Sequence, residues 1–147
     1  MNIDEMEAGR EMDALIAEKV MGWTRHSWAS HSALKKMLYC TNCGKTKGIH
    51  QNEGFAQFCN KPICGPDNYS TDIAAAWEVV EMLEDIAPGE GWVEINHHGK
   101  AGAYCRIWRL IDGENGEQWN VLTEAGANGP QVTPLVICRA ALKAVTE

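Results

Sequence analysis

The residues with the clearest chemical potential are four cysteines in two close pairs, Cys40-Thr-Asn-Cys43-Gly44 and Cys59-Asn-Lys-Pro-Ile-Cys64-Gly65, with fifteen residues between the pairs. Two thiolates a few residues apart can grip one ion from a single turn, and a second pair completes a tetrahedron, as in zinc ribbons. The glycine after each pair lets the backbone turn so that its amides approach the sulfurs. Cys40, Cys43, Cys59 and Cys64 are therefore the expected ligands of a structural zinc ion. Four residues separate the second pair where two are commonest, which leaves His50 as a substitute for one cysteine. A closed four-thiolate site has no position left for water, so no catalysis is expected of it.

The surrounding segment, about 38–68, explains why an ion is needed. Leu38, Ile49 and Ile63 are too few to build a core over thirty residues, whereas metal-binding free energy becomes folding free energy for such a loop. Its charge is also distinct. Residues 24–64 hold Arg25, Lys35, Lys36, Lys45, Lys47 and Lys61 against Glu53 alone, a formal +5, while the rest of the chain carries −12 of the net −7. The 147-residue length suits one domain, 1–147, interrupted by this basic insertion. The acidic start MNIDEMEAGREMD and the absence of a long apolar run point to the cytoplasm, where thiols stay reduced.

The elements that must carry the insertion follow from periodicity. Met6, Met12, Leu15, Ile16 and Val20 recur at three- and four-residue steps and predict a helix over 3–20, closed by Gly22. Residues 69–86 predict a second helix with Ser70 or Thr71 as its cap and Ile73, Ala76, Trp77, Val80, Leu83 and Ile86 as its buried stripe. Strands follow at 91–97, 103–111 and 118–123, then a loop over 126–132 and a last helix from Thr133-Pro134. Both faces of the middle strand are largely apolar, so helices are expected on both. The predicted class is α+β: a small αβα sandwich in which three helices cover an antiparallel β-meander, with a zinc-ribbon-like cysteine insertion.

Three stretches, GREMDALIAEKVMGW, YSTDIAAAWEVVE and PLVICRAALKAV, resemble the phage ABA sandwich domain. The resemblance implies a small αβα sandwich encoded by phages or prophages; it does not account for the cysteine segment, which is longer than is usual there.

No nucleophile elbow, P-loop, dinucleotide fingerprint or deaminase motif is present, so a non-enzymatic role is expected. Six tryptophans, arginines set among aromatics and a capped helix start favour binding of a small nucleotide-like ligand, with Tyr69, Ser70, Thr71, Arg106 and Trp108 lining the pocket. By analogy with small phage proteins, sequestration of a nucleotide immune signal is the first expectation. The alternative is an adaptor whose basic, zinc-held insertion grips a host protein or nucleic acid. Self-association is compatible with either, and no membrane contact is expected.

Overall fold

The computed structural model describes residues 2–30, 33, 35–49, 58–59, 67–86, 91–114 and 116–146. Cys64 and His50 lie outside the described residues. The architecture is α+β: three helices and two antiparallel three-stranded sheets. In chain order these are α1 (Arg10–Lys19), β1 (Trp28–Ser30), β2 (Met37–Cys40), β3 (Thr46–Gly48), α2 (Ile73–Ile86), β4 (Gly91–His97), β5 (Gly102–Gly113), β6 (Gly116–Asn128) and α3 (Thr133–Thr146). The large sheet has the order β4-β5-β6 of a meander, and the small one has the order β1-β2-β3.

The last helix is the hub. α3 touches all three strands of the meander as well as α1, α2 and the N-terminal turn. Pro134, Val136, Ile137, Cys138, Ala140, Ala141 and Leu142 are all buried, a pattern too wide for a one-sided amphipathic stripe and suited to a helix enclosed between layers. Arg139 strengthens the arrangement by donating from Nη2 and Nε to the Met6 carbonyl at 2.7 and 3.1 Å.

The meander presents one covered face. Ala103, Cys105 and Ile107 of β5 alternate inward, and their cross-strand partners Ile95, Val93, Ala125, Ala127 and Thr123 lie on the same side. All but Thr123 join the helices in a single core, while Thr123 is itself buried. The helical cover expected on both faces is found on one only: among the described residues, Trp92, Glu94, Trp108, Arg106, Trp119 and Val121 line an opposite face that no helix overlies. Apolar residues on both sides of a strand thus call for two covers, and the described residues supply one.

Several boundaries shift for local reasons. α1 begins at Arg10, because Gly9 takes φ +147° and separates it from a short 3-10 turn at Ile3–Glu5. α2 begins at Ile73, with the Asp72 carboxylate accepting from the Ala74 amide in place of Ser70 or Thr71. Its buried stripe is Ala76, Val79, Val80 and Leu83, rotated from expectation so that Ile73 and Trp77 are exposed. β6 continues to Asn128 through residues expected to form a loop. The small side chains of Ala125 and Ala127 let α3 approach, and at Gly102 an added Cβ would clash with the Ala127 carbonyl oxygen, so only glycine fits that pairing.

Ser70 is engaged elsewhere, in a buried junction between α1 and the entry to α2. Its amide and hydroxyl donate to Asp13 Oδ1 at 2.8 and 2.7 Å, and its oxygen accepts from the Gly9 amide at 2.9 Å. Burial pushes the Asp13 carboxyl up, opposed by the two Ser70 hydrogen bonds. A raised folded pKa means that this residue supports the fold fully below the ordinary carboxylate range and loses that support as pH rises through the raised value. Asp13→Ala, which strands two buried donors, is expected to cost about 2 kcal/mol by urea unfolding at pH 7. Asp13→Asn keeps the acceptor oxygen, so it should cost clearly less and flatten the pH dependence above the ordinary carboxylate range.

Candidate metal centre

The small sheet exists because β2 and β3 form a hairpin whose turn is a knuckle. Cys40 is the last residue of β2, its amide donates to Lys45 O at 2.8 Å, and the Gly44 amide donates back to Cys40 O at 2.8 Å. Gly44 takes φ +76°, a conformation that brings Cys43 round beside Cys40. A second segment approaches from the other side. Thr24 O accepts from the Cys59 amide at 2.8 Å, and Arg25 bridges to Phe58, so Cys59 is set against the chain just before β1.

His26, Cys40, Cys43 and Cys59 consequently converge, with all their ligand atoms within 4.8 Å of one another. Cys40 Sγ lies 3.6 Å from Cys59 Sγ, and His26 Nδ1 lies 3.4 Å from Cys43 Sγ and 3.3 Å from Cys59 Sγ. An ion bound by thiolate at about 2.3 Å and imidazole at about 2.0 Å has tetrahedral edges of about 3.8 Å between sulfurs and about 3.5 Å between sulfur and nitrogen. The observed separations are close to those edges. These four residues could hold a metal ion.

Electrostatics point the same way. Desolvation opposes ionisation of Cys40, but hydrogen bonds involving Cys43, His26, Ser27 and Asn42 draw its thiol down to about 5. Cys59 is pushed up to about 12, first by desolvation and then by neighbouring Cys40 and Cys43. Once one thiolate has formed, the next is opposed by its charge, and a cation at the centre relieves that opposition.

The cluster contains Cys40, Cys43 and Cys59 of the four expected cysteines, and His26 supplies a fourth corner. Nothing in the local sequence marks His26, which is fourteen residues from Cys40. A search for any histidine near the insertion's entry point would have included it. The insertion is also tied to the body. Phe58, adjacent to Cys59, is buried in the main core, with its ring 5.4 Å from Trp23, which in turn lies 6.4 Å from Tyr69.

The five expected ligand-binding residues are distributed over different environments. Tyr69 is fully buried in the core, its hydroxyl without a hydrogen-bond partner among the described residues, and Ser70 is held by Asp13. Thr71 borders a groove of about 710 Å³ with Asp72, Trp77, His97 and Thr133, and His97 Nδ1 lies 2.9 Å from Thr133 Oγ1. Arg106 stacks over Tyr104 at 4.6 Å and pairs with Glu124 at 3.0 Å, while Trp108 Nε1 donates to Glu94 at 2.8 Å. Of the remaining thiols, Cys105 and Cys138 are buried core residues, and burial pushes both up. No helix of the described residues is long and apolar enough to cross a membrane.

A model of the phage ABA sandwich domain matches residues 14–142. No curated protein and no solved structure matches the chain.

If these four residues hold an ion, its removal should disturb the core as well as the knuckle, because Cys59 and Phe58 share one short segment. Treating the purified protein with a strong chelator is expected to lower the Tm by more than 5 °C, since a loss of even about 1 kcal/mol shifts a chain of this size by roughly 2–4 °C. His26→Ala should weaken retention of the ion in a competition titration and reproduce part of that shift. An unchanged melting curve after verified metal removal would show that the cluster does not support the fold.

Proposed function

Taking as premise that the chain belongs to the phage ABA sandwich domain family, we propose that it is a non-enzymatic adaptor whose zinc-held small sheet binds nucleic acid through its phosphates. The observation that carries this reading is the charge on that sheet. No acidic residue occurs between Glu18 and Glu53, while Lys35, Lys36, Lys45 and Lys47 all stand on or beside β2 and β3. The Lys47 ammonium lies over the Trp28 ring at 4.7 Å, and Leu38, Trp28 and Lys47 share one face by register. An aromatic ring beside a cation is a surface on which a base can stack while its phosphate is neutralised.

Zinc is the ion that best suits three sulfurs and one nitrogen at tetrahedral separations. Its role is structural: four protein donors fill its coordination sphere, and the ion sets the position of the knuckle that carries Lys45 and Lys47. Three thiolates and a dication leave the centre with one negative charge, so the four lysines still dominate the sheet. The acidic remainder of the chain limits the contact to this module, making the adaptor a local grip on a polyanion.

Fluorescence anisotropy with a labelled single strand and a labelled duplex of the same sequence tests this. Four lysine–phosphate contacts predict affinity falling roughly 50-fold for the single strand and roughly 150-fold for the duplex between about 50 and 200 mM salt. Lys45→Gln with Lys47→Gln should reduce the slope by nearly one per lysine. Binding that is absent at low salt, or insensitive to those substitutions, would discard the nucleic-acid reading in favour of a host-protein partner.

A second reading retains the small nucleotide-like ligand, supported by the groove between the starts of α2 and α3. Trp77 offers a ring there, and Thr71, His97 and Thr133 offer hydrogen bonds, whereas Asp72 disfavours a phosphate close to α2. A ligand at this site would bind by its base. Calorimetry with cyclic dinucleotides should then show heat that Trp77→Ala abolishes, and no heat with either protein would remove the reading.

A further inference from the structure

The uncovered face of the meander carries an aromatic patch that neither reading uses. Trp92 and Trp119 are 53% and 49% exposed, and Val121 and Leu122 are 42% and 41% exposed. The Trp92 ring lies 6.2 Å from Trp108 and 6.1 Å from Trp119, so the three indoles form one group across β4, β5 and β6. Register places Trp92 opposite Trp108, Trp108 opposite Val121, and Leu110 opposite Trp119, all on the outer face. Between Ile107 and Trp108 the pairing slips by one residue, leaving Leu122 as the bulged residue and turning it out. Beyond the start of β4 at Gly91, the β5–β6 ladder continues to Gly113 opposite Gly116, and residues 116–122 are all exposed. A two-stranded ribbon with apolar side chains in water is marginal unless something packs on it.

We propose that this face is the interface of a homodimer, in which two copies stack their Trp92–Trp108–Trp119 patches about a two-fold axis. Size is the first argument. The two half-exposed tryptophans alone leave roughly 200 Å² of ring in water. With Val121, Leu122, Trp108 and Leu110 the patch reaches the range of about 300–600 Å² that marks an interaction site. That is the apolar centre of an interface of about 800 Å² per partner, with a polar rim supplying the remainder. Charge is the second argument, and it selects the partner. The rim bears Arg106 paired with Glu124, and Glu94 is already satisfied by Trp108 and Asn96. Opposite charges on one patch are self-complementary: a two-fold axis lets Arg106 of each copy face Glu124 of the other. A nucleic acid would instead meet Glu94 and Glu124 on a body whose residues outside 24–64 carry −12.

The test is sedimentation equilibrium of the full metal-loaded chain between about 1 and 100 µM. The expected result is a dimer whose Kd rises at least roughly 30-fold in Trp119→Glu and in Leu122→Glu, the latter a bulge residue with little packing to lose. Circular dichroism and metal content should stay unchanged in both. Trp77→Glu, an exposed tryptophan in the α2 groove, and Lys45→Gln should leave the dimer intact, which separates this interface from the nucleic-acid surface. Arg106→Glu and Glu124→Arg should each weaken self-association, and mixing the two variants should restore it as a heterodimer. A wild-type chain that is monomeric at about 100 µM would overturn the proposal, as would a dimer that folded Trp119→Glu and Leu122→Glu variants retain.

Discussion

Three sulfurs and an imidazole nitrogen lie within 4.8 Å of one another, where three thiolates would repel one another and three neutral thiols would forgo their strongest interaction. A cation at their centre would resolve this constraint, and much of the N-terminal half converges on that point. The knuckle at Cys40–Gly44 turns β2 into β3, His26 fixes the segment that leads into β1, and Cys59 returns the far end of the insertion to the same point. An ion held there would replace the hydrophobic centre that a sheet of three- and four-residue strands lacks. Because Phe58 enters the main core next to Cys59, the replacement is not confined to the insertion.

The larger sheet faces a different shortage. Its inner face is closed by α3, which lies against every strand and against both other helices, leaving the outer face to tryptophans and one ion pair. The charge of the chain is divided along the same line, with a basic small sheet on an acidic body. Two surfaces of opposite character on one small protein can act at once, one on a polyanion and one on a second copy, without competing for the same residues.

Much of this was readable from residue order. Helices announce themselves by apolar steps of three and four, and α2 and α3 fall close to where the pattern put them; the meander follows from alternation and from its glycine turns. Cysteine spacing marked Cys40 and Cys43 because the two thiols of a tight pair come from one turn, so their proximity is local, and it marked Cys59 as part of a second such pair that the chain returns to the first. What sequence order could not convey was anything depending on distant segments meeting. His26 joins the cluster only because Arg25 pairs with Phe58, and Ser70 is buried only because Asp13 arrives from α1. The phase of α2 was misjudged by one position in the turn, since Trp77 is as apolar as Val79 and the packing of α3 and β4 against α2 decides which is covered.

The chain by itself therefore determined the class of fold, the approximate extent of its helices and meander, and the thiol character of the metal centre, all of which arise from contacts among near neighbours. Tertiary structure decided that His26 meets the thiols, the hub position of α3 and the single-sided cover of the sheet among the described residues. Those depend on where segments separated by tens of residues come to rest, and no local pattern of side chains encodes that placement.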